Sequence, residues 1–187
     1  MNKTVISNDC FGGVLSYANH MQFCSPTIKL QILPEEFPKF CGNLRHYMET
    51  PLVRYIDISE EHKQYLVHMY GFIPSDMPIG LVDDVMIIFQ HYETFEEAKE
   101  KWDKRKARVD YNSICYLFHL KNESYAEYGR QFLALGLPNS EVITEDFTLE
   151  GCHRFDVPKG LDCFSSVGGI RVIEQNFSVK KFLGLEE

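Results

Sequence analysis

Apolar residues fall along this chain in short runs rich in Val, Ile, Phe and Tyr, separated by stretches in which they recur every three or four positions. The runs predict β-strands over 3–7, 27–33, 53–58, 85–92, 113–120 and 170–177. The spaced stretches predict helices. Phe37, Phe40, Leu44, Tyr47 and Met48 follow the i, i+3, i+4, i+7 rule behind the acidic pair Glu35-Glu36, and Pro38 fits a first turn, where no hydrogen bond is lost. Thr94 and Glu97 make a capping box for a helix reaching about Val109, whose inner face holds Phe95, Ala98, Trp102 and Val109 together with Arg105. A third helix over 125–135 stops at Gly136-Leu137-Pro138. From 138 to 169 the pattern weakens to loops with one short strand near Val142-Ile143. Strands alternating with helices imply an α/β fold with an at least partly parallel sheet flanked by helices, Rossmann-like in architecture. No repeat or linker divides the chain, so residues 1–187 read as a single domain.

Charge narrows the partners. A formal net charge of −8 argues against a nucleic-acid binder, which needs clustered Lys and Arg to displace counterions from phosphate. The one basic stretch, 99–108, has six positive residues against two negative ones and reads as a solvated helix face. Six scattered cysteines without a C-x-x-C pair, behind an N-terminus unlike a signal peptide, are expected to be reduced thiols of a cytoplasmic protein. No apolar run reaches the roughly 20 residues of a membrane-spanning helix, so any membrane contact is expected to be peripheral.

The candidate chemistry gathers at two strand ends. The first strand breaks into Ser7-Asn8-Asp9-Cys10-Phe11-Gly12-Gly13, where glycines allow close backbone approach and a following helix over 14–21 would offer free N–H groups to an anion. Cys10 at that helix start is a candidate nucleophile, or else an inert thiol in a capped turn. Ser25 and Thr27 flank Pro26 and can bind a sugar or phosphate, or close the turn on themselves. His91, at the end of the strand over 85–92, is a candidate general base because an imidazole titrates near neutrality; a structural histidine is the commoner use of such a residue. Asp83-Asp84 resembles the acidic pair of metal-dependent transferases, although an exposed turn is the default, and no metal site is assigned. Arg105 either snorkels from its apolar stripe or points into the site, where it or Arg108 would pair with donor phosphate.

Several of these segments together resemble a known family. Ile6 to Gly13, Ser25-Pro26-Thr27, Leu33 to Phe37, Pro78-Ile79-Gly80, His91-Tyr92, Phe95 to Ala98 and Lys101 to Arg105 stand in the order seen in bacterial domain-of-unknown-function family 1919, with Asp9 in place of an expected asparagine. The resemblance covers roughly residues 4–120, and 177–184 looks like the family's short closing helix. Its members are commonly labelled exopolysaccharide biosynthesis proteins. The resemblance therefore implies a pathway, assembly of exopolysaccharide, capsule or lipopolysaccharide, and carries no catalytic residues with it.

The expectation is a transferase that moves a glycosyl or acyl group from a nucleotide-sugar or acyl donor to a polysaccharide precursor. Cys10 and His91 are its candidate catalytic residues. Ser7, Asn8, Asp9, Gly12, Gly13, Ser25, Thr27, Asp84, Arg105 and Arg108 are its candidate binding residues. The competing expectations are a non-catalytic carbohydrate-binding or assembly module and a hydrolase working through Cys10 and His91. Cofactor and oligomeric state are left open.

Overall fold

A computed structural model describes residues 3–161, 167–174 and 177–185. The chain runs β1 (Thr4–Ser7), α1 (Phe11–Ala18), β2 (Gln31–Ile32), α2 (Phe37–Gly42), α3 (Leu44–Glu49), β3 (Val53–Arg54), α4 (Glu60–Tyr70), β4 (Ile79–Val82), β5 (Val85–Ile88) and α5 (Phe95–Lys106). It continues through β6 (Ile114–Leu120), a 3-10 turn at Glu123–Tyr125, α6 (Ala126–Ala134), β7 (Ser140–Glu145), β8 (His153–Phe155), α7 (Val167–Ile173) and α8 (Val179–Phe182). The strands form two sheets. One is parallel, in the order β1-β6-β7-β8; the other is antiparallel, in the order β2-β5-β4-β3.

Strand β6 is buried at all seven positions, as the inner strand of a sheet covered on both faces must be. Its alternation sorts the core. Ile114, Tyr116, Phe118 and Leu120 join Phe37, Phe40, Phe132, Val142 and Trp102, whereas Cys115 and Leu117 join Val5, Phe11, Leu15, Ile143 and Ile170. Each fully buried side chain of this kind contributes about 1.5–3 kcal/mol of transfer free energy. The period of two puts His119 on the second face, above α1, and the register His119↔Ile143 sets it one pleat from Glu145 on β7.

The second sheet was not expected. Pro78 to Val82, which reads as a lead-in, forms β4 and turns back onto β5 through Asp83-Asp84, with Val82 opposite Val85 and Asp83 at φ 56°. The predicted strand over 27–33 shrinks to Gln31–Ile32 because Lys29 takes a left-handed conformation at φ 64°. The strand over 85–92 ends at Ile88, and that over 53–58 at Arg54. The single helix expected across 37–48 is broken at Asn43 into α2 and α3, both facing the same core. The strand expected over 170–177, of which 175 and 176 lie outside the described residues, is helical from 170 to 173. Ile170, Ile173 and Phe177 bury together at helical spacing, so the β-branched run folds as α7. Helix α4, capped by Ser59 and closed by Gly71 at φ 78°, and strand β8 were also unanticipated. The Thr94 cap holds: its Oγ1 accepts from Glu97 N at 3.2 Å.

Cys24, Cys41, Cys115 and Cys152 carry free thiols, and Cys163 lies outside the described residues. Among the described residues no helix is long and apolar enough to cross a membrane.

Candidate functional site

Strands β1 and β6 end side by side, and Asn8 ties the two ends together. Its Oδ1 accepts from His119 N at 2.8 Å while its Nδ2 donates to His119 O at 2.9 Å, so the amide replaces one rung of the parallel ladder. Asn8 O in turn accepts from Ile32 N at 2.8 Å, which joins the parallel sheet to the antiparallel one. The next residue, Asp9, sits 3% exposed at the root of α1, where Oδ1 accepts from Phe11 N at 2.9 Å. Its Oδ2 lies 2.8 Å from His119 Nδ1 and 3.6 Å from Lys121 Nζ. On the far side His119 Nε2 meets Glu145 Oε1 at 2.8 Å, an ion-pair contact that lies off the N–H axis. Carboxylate, imidazole and carboxylate thus stand in a row across the carboxyl ends of β1, β6 and β7.

Burial opposes charge on His119, but the Asp9 carboxylate, its hydrogen bond and Glu145 outweigh it and raise the imidazole pKa to about 9. Burial opposes charge on Asp9 as well. The facing imidazolium, with Lys121 and the Phe11 N–H, still lowers its carboxyl to about 2. Near neutrality the row therefore carries Asp9⁻, His119⁺ and Glu145⁻, and Lys121⁺ brings the four groups to zero. An imidazolium with both nitrogens against carboxylates is no general base. What it does is hold two carboxylates ionised and fixed in orientation.

Asp9 and His119 floor a cavity of about 250 Å³ whose walls include Gln31, His68, Lys121, Asn122 and Tyr125, with Glu145 behind His119 and outside the lining. The position agrees with the rule that open α/β sheets bind ligands at the carboxyl ends of their strands. Amide donors, an ammonium group and the Asp9 carboxylate converge there, with Glu145 behind His119 completing the charge balance, which suits a hydroxylated neutral group better than a bare anion.

The sequence-predicted residues divide three ways. Asn8 and Asp9 line this cavity. Cys10, Gly13 and His91 line a different one, a groove of about 560 Å³ walled by Val14, Tyr17, Phe23 and Ile28, in which Cys10 Sγ contacts Gln90 Oε1 at 3.7 Å. The two proposed catalytic residues thus share one groove, although His91 stands beyond the end of β5 and is exposed. The remaining residues build the scaffold. Ser7 Oγ accepts from Gly12 N at 3.1 Å and donates to Asp9 O at 2.7 Å, so two of the first amide donors of α1, those of Phe11 and Gly12, are taken by the protein itself. A Cβ on Gly12 would lie 2.5 Å from Ser7 Oγ. Ser25 and Thr27 are buried, hydrogen-bonded to each other at 2.8 Å, and Thr27 Oγ1 accepts from Ser7 N. Arg105 snorkels to Ile28 O and Tyr92 OH, and Arg108 reaches Phe23 O at 3.4 Å. Asp84 is held by Lys39 and Tyr47, and Asp83 by His46, in the β4–β5 turn.

His119, Lys121, Glu145, His68 and Tyr125 went unnoticed in the sequence. The strand-end position that marks His91 marks His119 better, the last residue but one of a fully buried seven-residue strand that leads into Lys121-Asn122.

A family profile described as a domain of unknown function, DUF1919, matches residues 1–151. The chain belongs to that family. The DUF1919 match takes in Asn8, Asp9, His119, Lys121 and Glu145, so the whole charged row lies inside the shared domain. An uncharacterized protein of Haemophilus influenzae is 30% identical over 111 residues, 59% of this chain and 46% of that relative. The matched stretch thus spans about half the relative's length.

Proposed function

We propose that this DUF1919 protein serves in cell-surface polysaccharide biosynthesis, on the cytoplasmic side, as a transferase that moves a glycosyl or acyl group to a polysaccharide precursor. The saccharide would sit over Asp9 and His119. The observation that carries the reading is the polar cavity at the carboxyl edge of a parallel sheet, floored by the Asp9 carboxylate and by His119, which Glu145 backs. Carboxylate oxygens accept from sugar hydroxyls, while Lys121 and Asn122 donate to ring and carbonyl oxygens. In this reading Asp9, held ionised and fixed by His119, accepts a hydrogen bond from the acceptor hydroxyl and orients it. The family resemblance supplies the pathway.

Thermal unfolding with nucleotide sugars and coenzyme A thioesters tests the proposal. Saturation at 100 times Kd should add about 2.7 kcal/mol of stability, and Lys121→Met should remove the shift. No shift with any donor at millimolar concentration sinks it. One observation favours a second reading, a carbohydrate-binding or assembly module without turnover: neither nitrogen of His119 is available as a base. Release of free nucleotide or coenzyme A on mixing donor with acceptor separates the two.

A further inference from the structure

The cavity over the charged row does not end at His68 and Tyr125. Both residues also line a neighbouring cavity of about 310 Å³, and their rings stand 5.3 Å apart between the two spaces. The second space is walled by Tyr65, Tyr125 and Tyr128, with Gln64 at its edge. Glu35 also lines this space, and among the described residues its Oε2 is buried without a hydrogen-bond partner. A buried carboxyl oxygen left unsatisfied is uncommon and asks for a partner the protein itself does not supply. Burial raises the Glu35 pKa, and the Tyr125 phenol is pushed up to about 12, so the lining stays neutral over more of the pH range than its residue types suggest.

We infer that this tyrosine-lined space is a second saccharide subsite, which seats the neighbouring sugar of an oligosaccharide whose first unit occupies the pocket at Asp9 and Lys121. The inference rests on the proposed function and deepens it, naming the precursor as a chain of at least two sugars. Flat phenol faces match the apolar faces of a pyranose, and a carboxyl oxygen with free lone pairs matches its hydroxyls. A phosphate finds no lysine or arginine in the lining, which disfavours a nucleotide diphosphate in this half of the cleft.

The test is titration of the full chain, carrying ¹³C-labelled tyrosine rings and ¹⁵N backbone, with N-acetylglucosamine, its β1→4-linked disaccharide, galactose, lactose and uridine. The expected result is that one disaccharide binds at least tenfold more tightly than its monosaccharide. Only the disaccharide should move the Tyr65 and Tyr128 ring signals, while both sugars move the His119 and Lys121 amides. Glu35→Gln and Tyr128→Ala should each reduce the disaccharide to the affinity of the monosaccharide and leave monosaccharide binding unchanged. Equal affinities, or disaccharide binding indifferent to both variants, overturn the subsite alone. Uridine moving the Tyr128 ring when no sugar does overturns it in favour of a nucleobase. Absence of any saccharide response at the His119 amide overturns the saccharide reading of the whole cleft.

Discussion

Two histidines in this molecule are built into nearly the same cluster, and one of them, His119, borders the cavity at the strand ends. In the parallel sheet His119 lies between Asp9 and Glu145, with Lys121 3.6 Å from Asp9. Beside the antiparallel sheet His62 lies between Glu36 Oε1 at 2.8 Å and the Tyr55 hydroxyl at 2.9 Å, with Lys39 4.0 Å from Glu36. In both, burial opposes the charge and the neighbouring groups win, raising the imidazole to about 9. Glu36 is fully spent, because its other oxygen accepts from Met86 N at 2.9 Å and locks α2 and α4 onto β5. Asp9 is as fully engaged, through Phe11 N and His119 Nδ1, but it lies at a strand end and lines a cavity. A shifted pKa is therefore no mark of a site in this fold; the opening beside it is.

Removing either imidazole should have the largest effect. His119→Leu and His62→Leu should each cost about 3–5 kcal/mol in urea unfolding at pH 7, since each leaves a buried carboxylate without its counter-charge. Ligand-induced stabilisation should vanish only in the His119 variant, and its loss in both would dissolve the distinction. Next comes the turn beneath the open cluster. Gly12→Ala should cost about 1–3 kcal/mol by overpacking, because its methyl group would meet a Ser7 hydroxyl already committed to two hydrogen bonds.

The pH dependence sharpens the comparison further. A histidine raised from 6.5 to about 9 contributes stability that is complete below pH 6.5 and is lost as pH rises through 9. Unfolding free energy should therefore fall between pH 7 and pH 10. Asp9, lowered to about 2, contributes stability above its unfolded value of 3.8 that is lost as pH falls toward 2. Imidazole ¹⁵N shifts of the free protein should show both rings protonated at pH 7.5; a His119 midpoint near 6.5 would refute the charged row. The smallest effect belongs to the outlying lysines. Lys121→Met and Lys39→Met remove half-exposed charges and should each change stability by less than about 1 kcal/mol. Ligand affinity should fall for the first and not for the second.

Much of the fold was legible because single elements announce themselves locally. Strands β1 and β6 and helices α5 and α6 were read close to their bounds, since a capping box, a Gly-Leu-Pro stop or a long Val/Ile/Phe/Tyr run needs no distant partner. The elements misread depend on what they pack against. The segment predicted as a strand over 170–177 has strand composition, but its Ile170, Ile173 and Phe177 pack with Phe11 and Leu15 of α1, where spacing of three and four buries more than alternation does. Pro78 to Val82 is too short to signal a strand without β5 beside it.

The site divides along the same line. The amino-terminal turn was visible as a strand end rich in polar residues and glycine, and Asn8 and Asp9 do border the cavity. Ser25, Thr27 and Arg105 were chosen for hydroxyl and guanidinium groups whose partners lie 13 to 77 residues away in sequence or just across a turn, all of them within the protein.

By itself the sequence determined an α/β protein of net negative charge, a polar turn at the first strand end and, through its motifs, the DUF1919 family. Only the tertiary structure decided that Asp9, His119 and Glu145 form one row, because three side chains 110 and 26 residues apart meet through the parallel register of β1, β6 and β7 and leave no mark on local spacing. It also decided which donors remain for a ligand, since hydrogen bonds spent inside a fold are settled by packing and not by composition.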